Sequence, residues 1–187
     1  MAEQASEAPI FLIGFMATGK TTVGQLVAAR RGWSFVDLDQ AIVAGAGMTV
    51  AEIFAREGEA GFRQREAAAV RAAAARTRTV IATGGGAACR EDNLTTMLAG
   101  GRVVALSATP AEVLRRVGGP SGRPLLDGKD GQADPLGTAA ALLAAREPFY
   151  ARAHHTVDTI GKTPEEVAAA VRAALGLGDA ILGTTSS

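Results

Sequence analysis

Gly14-Phe15-Met16-Ala17-Thr18-Gly19-Lys20-Thr21 follows directly on the apolar run Pro9-Ile10-Phe11-Leu12-Ile13. Two glycines five apart, then a lysine and a hydroxyl residue, give the spacing G-x-x-x-x-G-K-[ST]. In such a loop successive backbone N–H groups turn inward around a polyphosphate, a path that glycine-punctuated turns readily allow. A strand before the loop and a helix after it, from Lys20 to Arg30, complete the context the motif requires. Lys20 is then placed to reach the β- and γ-phosphates, the Thr21 hydroxyl to ligate Mg²⁺, and the helix directs its positive dipole end at the phosphates. Gly14, Ala17, Thr18, Gly19, Lys20, Thr21 and Thr22 are the candidate nucleotide-binding residues; Thr22 is equally readable as an ordinary first-turn helix residue.

Working outward, short β-rich runs at Ile10 to Ile13, Ser34 to Val36, Thr79 to Ala82, Arg102 to Leu106 and Thr156 to Val157 alternate with Ala/Leu/Arg/Glu-rich segments. Helices are expected at Lys20 to Arg30, Val50 to Arg56, Glu59 to Arg76, Asp92 to Leu98, Pro110 to Val117, Thr138 to Arg152 and Pro164 to Leu175. Thr109-Pro110 and Thr163-Pro164-Glu165-Glu166 read as N-caps followed by a first-turn proline, and Gly32 and Gly176 as stops. The alternation predicts an α/β class: a three-layer, doubly wound P-loop fold with a five-stranded parallel sheet, helices on both faces and a mobile lid.

The lid is expected at about 118–137, where Gly, Pro and Asp enclose Arg123-Pro124-Leu125-Leu126; a long structureless stretch in a small domain is commonly a working loop. The chain has 187 residues, 48% of them hydrophobic, enough for one domain to bury a core unaided. The expected division is a disordered leader over 1–8, one P-loop domain over 9–176 and a flexible tail over 177–187. Nineteen basic residues balance nineteen acidic ones, so no overall field favours nucleic acid or an anionic membrane, and neither is expected as a partner. A single cysteine, Cys89, fits a reducing compartment. No apolar run approaches the roughly 20 residues that span a bilayer, and a cytoplasmic monomer is the expectation.

Further candidates gather where the strands end. Asp37-Leu38-Asp39 follows the second strand, and an extended backbone would point both carboxylates the same way. One could serve Mg²⁺ through its water shell and the other could hold or deprotonate an acceptor hydroxyl; a helix N-cap is the alternative for Asp39. Phe62-Arg63-Gln64-Arg65-Glu66 places Arg63 and Glu66 on one helix face, either as a fixed guanidinium for a substrate carboxylate or as an ordinary ion pair. Gly84-Gly85-Gly86 follows the third strand and brings bare backbone to the sheet edge, or is only a turn. Arg123 could close over the phosphates as a charge clamp, and Arg146 could be a second carboxylate ligand or a surface residue. His154 and His155 point in different directions and make a poor metal pair.

This ordered set resembles the shikimate kinases, within the nucleoside monophosphate kinase group of P-loop folds, from about Ile10 to Leu175. The resemblance implies transfer of the ATP γ-phosphoryl group to the 3-hydroxyl of shikimate, giving shikimate 3-phosphate and ADP, in chorismate and aromatic amino-acid biosynthesis. It implies ATP and Mg²⁺ as cofactors. By the family pattern, Asp39 is expected to contact the shikimate hydroxyls and is the candidate base, Arg63 and Arg146 to hold the carboxylate, and Gly85 to offer a backbone N–H. Thr21 is expected to bind Mg²⁺ directly, with Asp37 assisting through water. Arg116 is expected to stack on adenine, the stretch Thr159 to Pro164, with Lys162, to form the adenine loop, and Phe54 and Phe62 to form an apolar floor.

The chain departs from the family pattern in a longer lid, at Asp127 to Gly131, and in a less basic adenine loop at Ile160-Gly161-Lys162. Competing readings are another kinase of the same fold, acting on gluconate or a nucleotide, and a nucleotide-dependent switch that has lost acceptor chemistry.

Overall fold

The computed structural model describes residues 7–117 and 134–177. Most of the expected leader, the tail from 178 onward, and residues 118–133 of the expected lid, Arg123 among them, lie outside the described residues.

Five strands, β1 (Ile10–Ile13), β2 (Ser34–Asp37), β3 (Thr79–Ala82), β4 (Arg102–Ser107) and β5 (His155–Asp158), form one sheet in the order β2-β3-β1-β4-β5. Every neighbouring pair is parallel. The interior strands β1 and β3 are buried at every position, as parallel strands covered on both faces must be, whereas the edge strands β2 and β5 are largely exposed or half-buried.

The helices are α1 (Lys20–Arg31), α2 (Leu38–Ala46), α3 (Val50–Ala74), α4 (Glu91–Gly100), α5 (Pro110–Val117), α6 (Pro135–Tyr150) and α7 (Pro164–Ala174), with a 3₁₀ turn at Ala87–Cys89. Alternate strand residues sort into two cores. Phe11, Ile13, Ile81, Val103 and Ala105 face Val70 of α3, Leu94 and Met97 of α4, Val113 of α5 and Tyr150 of α6. Ile10, Leu12, Val80, Val104 and Leu106 face Val23 and Val27 of α1 and Val167 and Val171 of α7. That is the period-two consequence of strand geometry, and it produces the expected three layers.

Local chemistry sets the helix ends. Thr49 and Thr163 form capping boxes with Glu52 and Glu166, each accepting from the N3 backbone while the glutamate reaches back. Two helical expectations change. The segments expected at Val50 to Arg56 and Glu59 to Arg76 are one kinked helix, α3, with the break at Gly58, whose φ of 68° is left-handed. The proposed lid boundary at 137 also moves, because α6 begins at Pro135, capped by the Asp134 side chain on Gly137 N.

Strand order places the site. β1 lies between β3 and β4, so the chain crosses from one side of β1 to the other, and the loops leaving β1, β2 and β3 converge at the carboxyl edge of the sheet, where open α/β folds bind ligands. Among the described residues no single helix is long and apolar enough to cross a membrane.

Candidate active site

The loop after β1 is drawn against the end of β4. Gly14 has φ 133°, and a Cβ there would lie 2.3 Å from the Leu106 carbonyl oxygen, so only glycine lets the loop leave the strand along this path. Ala17 and Gly19 also have positive φ, at 57° and 90°. Thr18 donates to the Phe15 carbonyl at 2.9 Å and braces the loop from within. Lys20 is buried, and its Nζ donates to the carbonyls of Gly14 at 2.9 Å and Phe15 at 2.7 Å, which holds the ammonium over the concavity of the loop.

Asp37 and Asp39 meet differently from the extended expectation. Asp37 is the N-cap of α2: its Oδ1 accepts from Asp39 N at 3.1 Å and Gln40 N at 3.3 Å. The cap is therefore Asp37 rather than Asp39, and Asp39 sits in the first helical turn. Asp37 Oδ2 accepts from the Thr21 hydroxyl at 2.8 Å, which brings together the two oxygens expected to serve Mg²⁺. Mg²⁺ favours few protein oxygens, with water and phosphate completing its octahedron. One hydroxyl and one carboxylate beside a phosphate loop fit that habit; among the described residues no cluster of three or more His, Cys, Asp or Glu is built for a metal.

Gly84, Gly85 and Gly86 form a shelf on which three side chains lie. A Cβ on Gly84 would stand 2.7 Å from Asp39 Oδ1, one on Gly85 would stand 3.4 Å from Arg146 Nη1, and one on Gly86 would stand 3.4 Å from Arg63 Nη1. At Gly84 it is this close approach that calls for glycine, since its φ suits any residue, whereas at Gly85 and Gly86 a Cβ would reach only ordinary contact distance. The shelf thus carries a carboxylate and two guanidinium groups side by side.

Both guanidiniums are held from behind. Arg63 donates through Nη1 to Glu66 Oε2 at 3.0 Å, and Glu66 is buried. Burial works against the Arg63 charge, but Glu66 and Glu59 more than offset it, so its pKa is raised. Burial also raises the Glu66 pKa, with Arg63 opposing. The pair is therefore a fixed, partly desolvated one rather than an ordinary solvated ion pair. Arg146 lies over the Phe15 ring at 5.3 Å and Arg63 over Phe62 at 5.5 Å, so both guanidiniums are braced on aromatic faces. Phe54 stacks on Phe62 at 4.8 Å and remains exposed, an apolar wall beside Arg63.

Burial and the neighbouring Asp37 carboxylate raise the pKa of Asp39 above the ordinary carboxylate range, against the pull of Lys20 and Arg63. A carboxylate of raised pKa is a better proton acceptor, and it stands where phosphate loop and glycine shelf meet.

Two cavities open on either side of the loop. One of about 270 Å³ is lined by Met16, Lys20, Thr21, Asp37, Asp39, Thr83, Gly84 and Gly85, among others. The second, of about 210 Å³, lies between the loop and the segment after β5, and is lined by Thr18, Arg115, Arg116, Thr159, Lys162 and Pro164, among others. Ala17, Gly19 and Thr22 line both, so the cavities adjoin across the phosphate loop. Arg116 ties this second cavity together: it pairs with Glu112 at 2.7 Å and donates to Ala17 O at 3.3 Å and Thr159 O at 2.8 Å. Lys162 donates to the Asp158 carbonyl at 2.8 Å within its own turn.

Three contributors escaped sequence reasoning. Thr83 lines the larger cavity and bonds Leu12 O, Arg115 lines the smaller one, and Tyr150 bonds the shelf itself. Thr83 was discoverable, since it stands between β3 and the glycines. His154, read as no metal ligand, serves the sheet instead, because its Nδ1 accepts from Val103 N at 2.9 Å, ahead of the point where β5 pairs with β4.

Comparison with known proteins bears on the same span. A model of the shikimate kinase family matches residues 16–175. The chain is 43% identical over 163 residues to the shikimate kinase of Geobacter metallireducens, covering 87% of this chain and 88% of that protein. It is 46% identical over 167 residues to that of Moorella thermoacetica, covering 89% and 93%. Its fold superposes with a TM-score of 0.83 on shikimate kinase from Acinetobacter baumannii in complex with shikimate, at 33% identity, over 94% of this chain and 97% of the other. The matched span runs from inside the phosphate loop to the last core residue of the α7 face, and over it the chain belongs to the shikimate kinase family.

Proposed function

We propose that the protein transfers the γ-phosphoryl group of ATP to the 3-hydroxyl of shikimate, giving shikimate 3-phosphate and ADP, as a step of chorismate and aromatic amino-acid biosynthesis. The observation that carries this reading is the glycine shelf beside the phosphate loop. It presents two fixed guanidiniums and one carboxylate on three consecutive residues, a match for an acceptor with one carboxylate and several hydroxyls.

Phosphoryl transfer passes through a loose transition state, so positioning and charge stabilisation carry most of the catalysis. Arg63 and Arg146 clamp the acceptor carboxylate, each pre-oriented by its brace, which lowers the entropy lost on binding. The Gly85 backbone N–H adds a donor to the acceptor, while the carboxylate of Asp39 orients the 3-hydroxyl and takes its proton. Lys20 exchanges its loop carbonyls for β- and γ-phosphate oxygens, and Gly14, Ala17, Thr18, Gly19 and Thr22 shape the phosphate cradle. Arg116 and Lys162 border the adenine. Thr21 and Asp37 would hold Mg²⁺, which when bound supplies charge neutralisation to the phosphates. The sequence assignment of Arg123 as a charge clamp belongs to the same proposal, as does a single kinase domain working as a cytoplasmic monomer.

The test is ADP release with shikimate, gluconate and AMP as acceptors. Turnover of shikimate at least about tenfold above the others, an acceptor discrimination of roughly 1.4 kcal/mol, supports the reading. Turnover of gluconate or AMP without shikimate overturns it in favour of another small-molecule kinase, and tight ATP binding with no acceptor turnover favours a nucleotide-dependent switch.

A further inference from the structure

Tyr150 is the sole tyrosine of the chain, and it is buried, with 5% of its surface exposed. Its hydroxyl donates to the Gly85 carbonyl at 2.6 Å, and the Cys89 thiol approaches the same oxygen at 3.8 Å. The neighbouring carbonyls are also engaged: Gly84 O accepts from Ala87 N and Gly86 O from Cys89 N, both at 3.1 Å. Three successive glycines would otherwise be the least constrained backbone in the site. With the Gly85 carbonyl turned toward the core, the planar trans peptide turns the Gly86 N–H the opposite way.

Tyr150 also lies four residues after Arg146 on α6, hence on the same helix face one turn along. Arg146 Nη1 stands 3.4 Å from where a Gly85 Cβ would be, so α6 meets Gly85 at two points, with a guanidinium lying close over it and a phenol bonded to its carbonyl. A phenylalanine would fill the same apolar volume. The hydroxyl is therefore there for its bond, because burying it unpaired would be costly.

We propose that Tyr150 is a positioning residue for acceptor binding: its hydroxyl fixes the Gly85–Gly86 peptide and keeps Arg146 in register with the glycine shelf. This rests on the shikimate reading above and deepens it, since it says what holds the carboxylate ligand Arg146 at a fixed place over the glycine shelf.

The experiment is Tyr150→Phe, assayed against wild type by steady-state kinetics with each substrate varied in turn. Losing one buried hydrogen bond should raise the KM for shikimate about five- to tenfold, with the KM for ATP within about twofold. A shikimate KM within about twofold of wild type overturns the proposal, as does an equal rise in both KM values, which would mark general loosening of the domain. Shikimate turnover by the wild-type enzyme in the same assay secures the parent reading separately, so an unaltered Y150F then counts against Tyr150 alone. Should Y150F not accumulate folded, wild-type protein carrying 3-fluorotyrosine gives one ¹⁹F resonance. A saturable shift of that resonance by shikimate supports the proposal, and indifference to shikimate overturns it.

Discussion

Gly84→Ala separates the position of Asp39 from the stability of the fold. The added Cβ would lie 2.7 Å from Asp39 Oδ1, whereas ordinary contact begins near 3.4 Å, so the carboxylate must retreat by about 0.7 Å. Asp39 can yield, because the clashing atom is the end of a side chain and the φ at Gly84 suits any residue. A misplacement of about 1 Å at a reacting group can cost on the order of 100-fold, so kcat should fall about 10- to 100-fold. The backbone is undisturbed, so the unfolding free energy should change by less than about 1 kcal/mol. The KM for ATP should stay within about twofold, since the phosphate loop is untouched. Coupled-enzyme measurement of ADP release, paired with a thermal melt, reads both. A folded G84A enzyme with wild-type kcat would refute the placement of Asp39, and a collapse of the melt would mean that the glycine serves the fold instead.

Other predictions follow from the same geometry. Asp39→Asn should lower kcat sharply while raising thermal stability: a carboxyl whose pKa is raised on folding contributes stability below its unfolded pKa and loses it as pH rises through the folded value, so at neutral pH the ionised side chain is a cost. For the same reason the acid limb of wild-type kcat/KM should lie above the ordinary aspartate range and vanish in D39N. Arg63→Ala should raise the shikimate KM and destabilise by about 1–3 kcal/mol, because it removes the guanidinium that holds buried Glu66. Adding Glu66→Ala should restore much of the stability by denaturant melt without restoring shikimate binding. Gly14→Ala should be destabilising by about 3 kcal/mol or more, since left-handed strain adds to a backbone clash that no rotamer can relieve.

The fold was legible because its signals are local. All five strands lie within one residue of their expected ends, since apolar runs bounded by turn chemistry need no tertiary information. The helix Leu38–Ala46 was overlooked although its signature was present: Asp37 with Gln40 three residues on is a capping pattern, and reading Asp37-Leu38-Asp39 as extended concealed it. The loop's backbone was equally readable, because the positive φ at Gly14 and Gly19 is a local property of the glycines themselves. What lay beyond the sequence is pairing across distance. Nothing in Gly84-Gly85-Gly86 says that these residues seat Asp39, Arg146 and Arg63, which come from three separate helices. The burial of Glu66 and the bond from Tyr150 to Gly85 depend on how α3 and α6 pack, and a helix pattern gives the face of a residue without its neighbour.

If phosphate loop and acidic-acceptor pocket share one rim, a phosphoryl group passes directly between them. ³¹P NMR of the reaction of ATP with shikimate follows that transfer. Direct passage gives ADP together with a single new phosphomonoester resonance coupled to the proton on carbon 3. ADP with only inorganic phosphate, or a phosphoester on another hydroxyl, would contradict it.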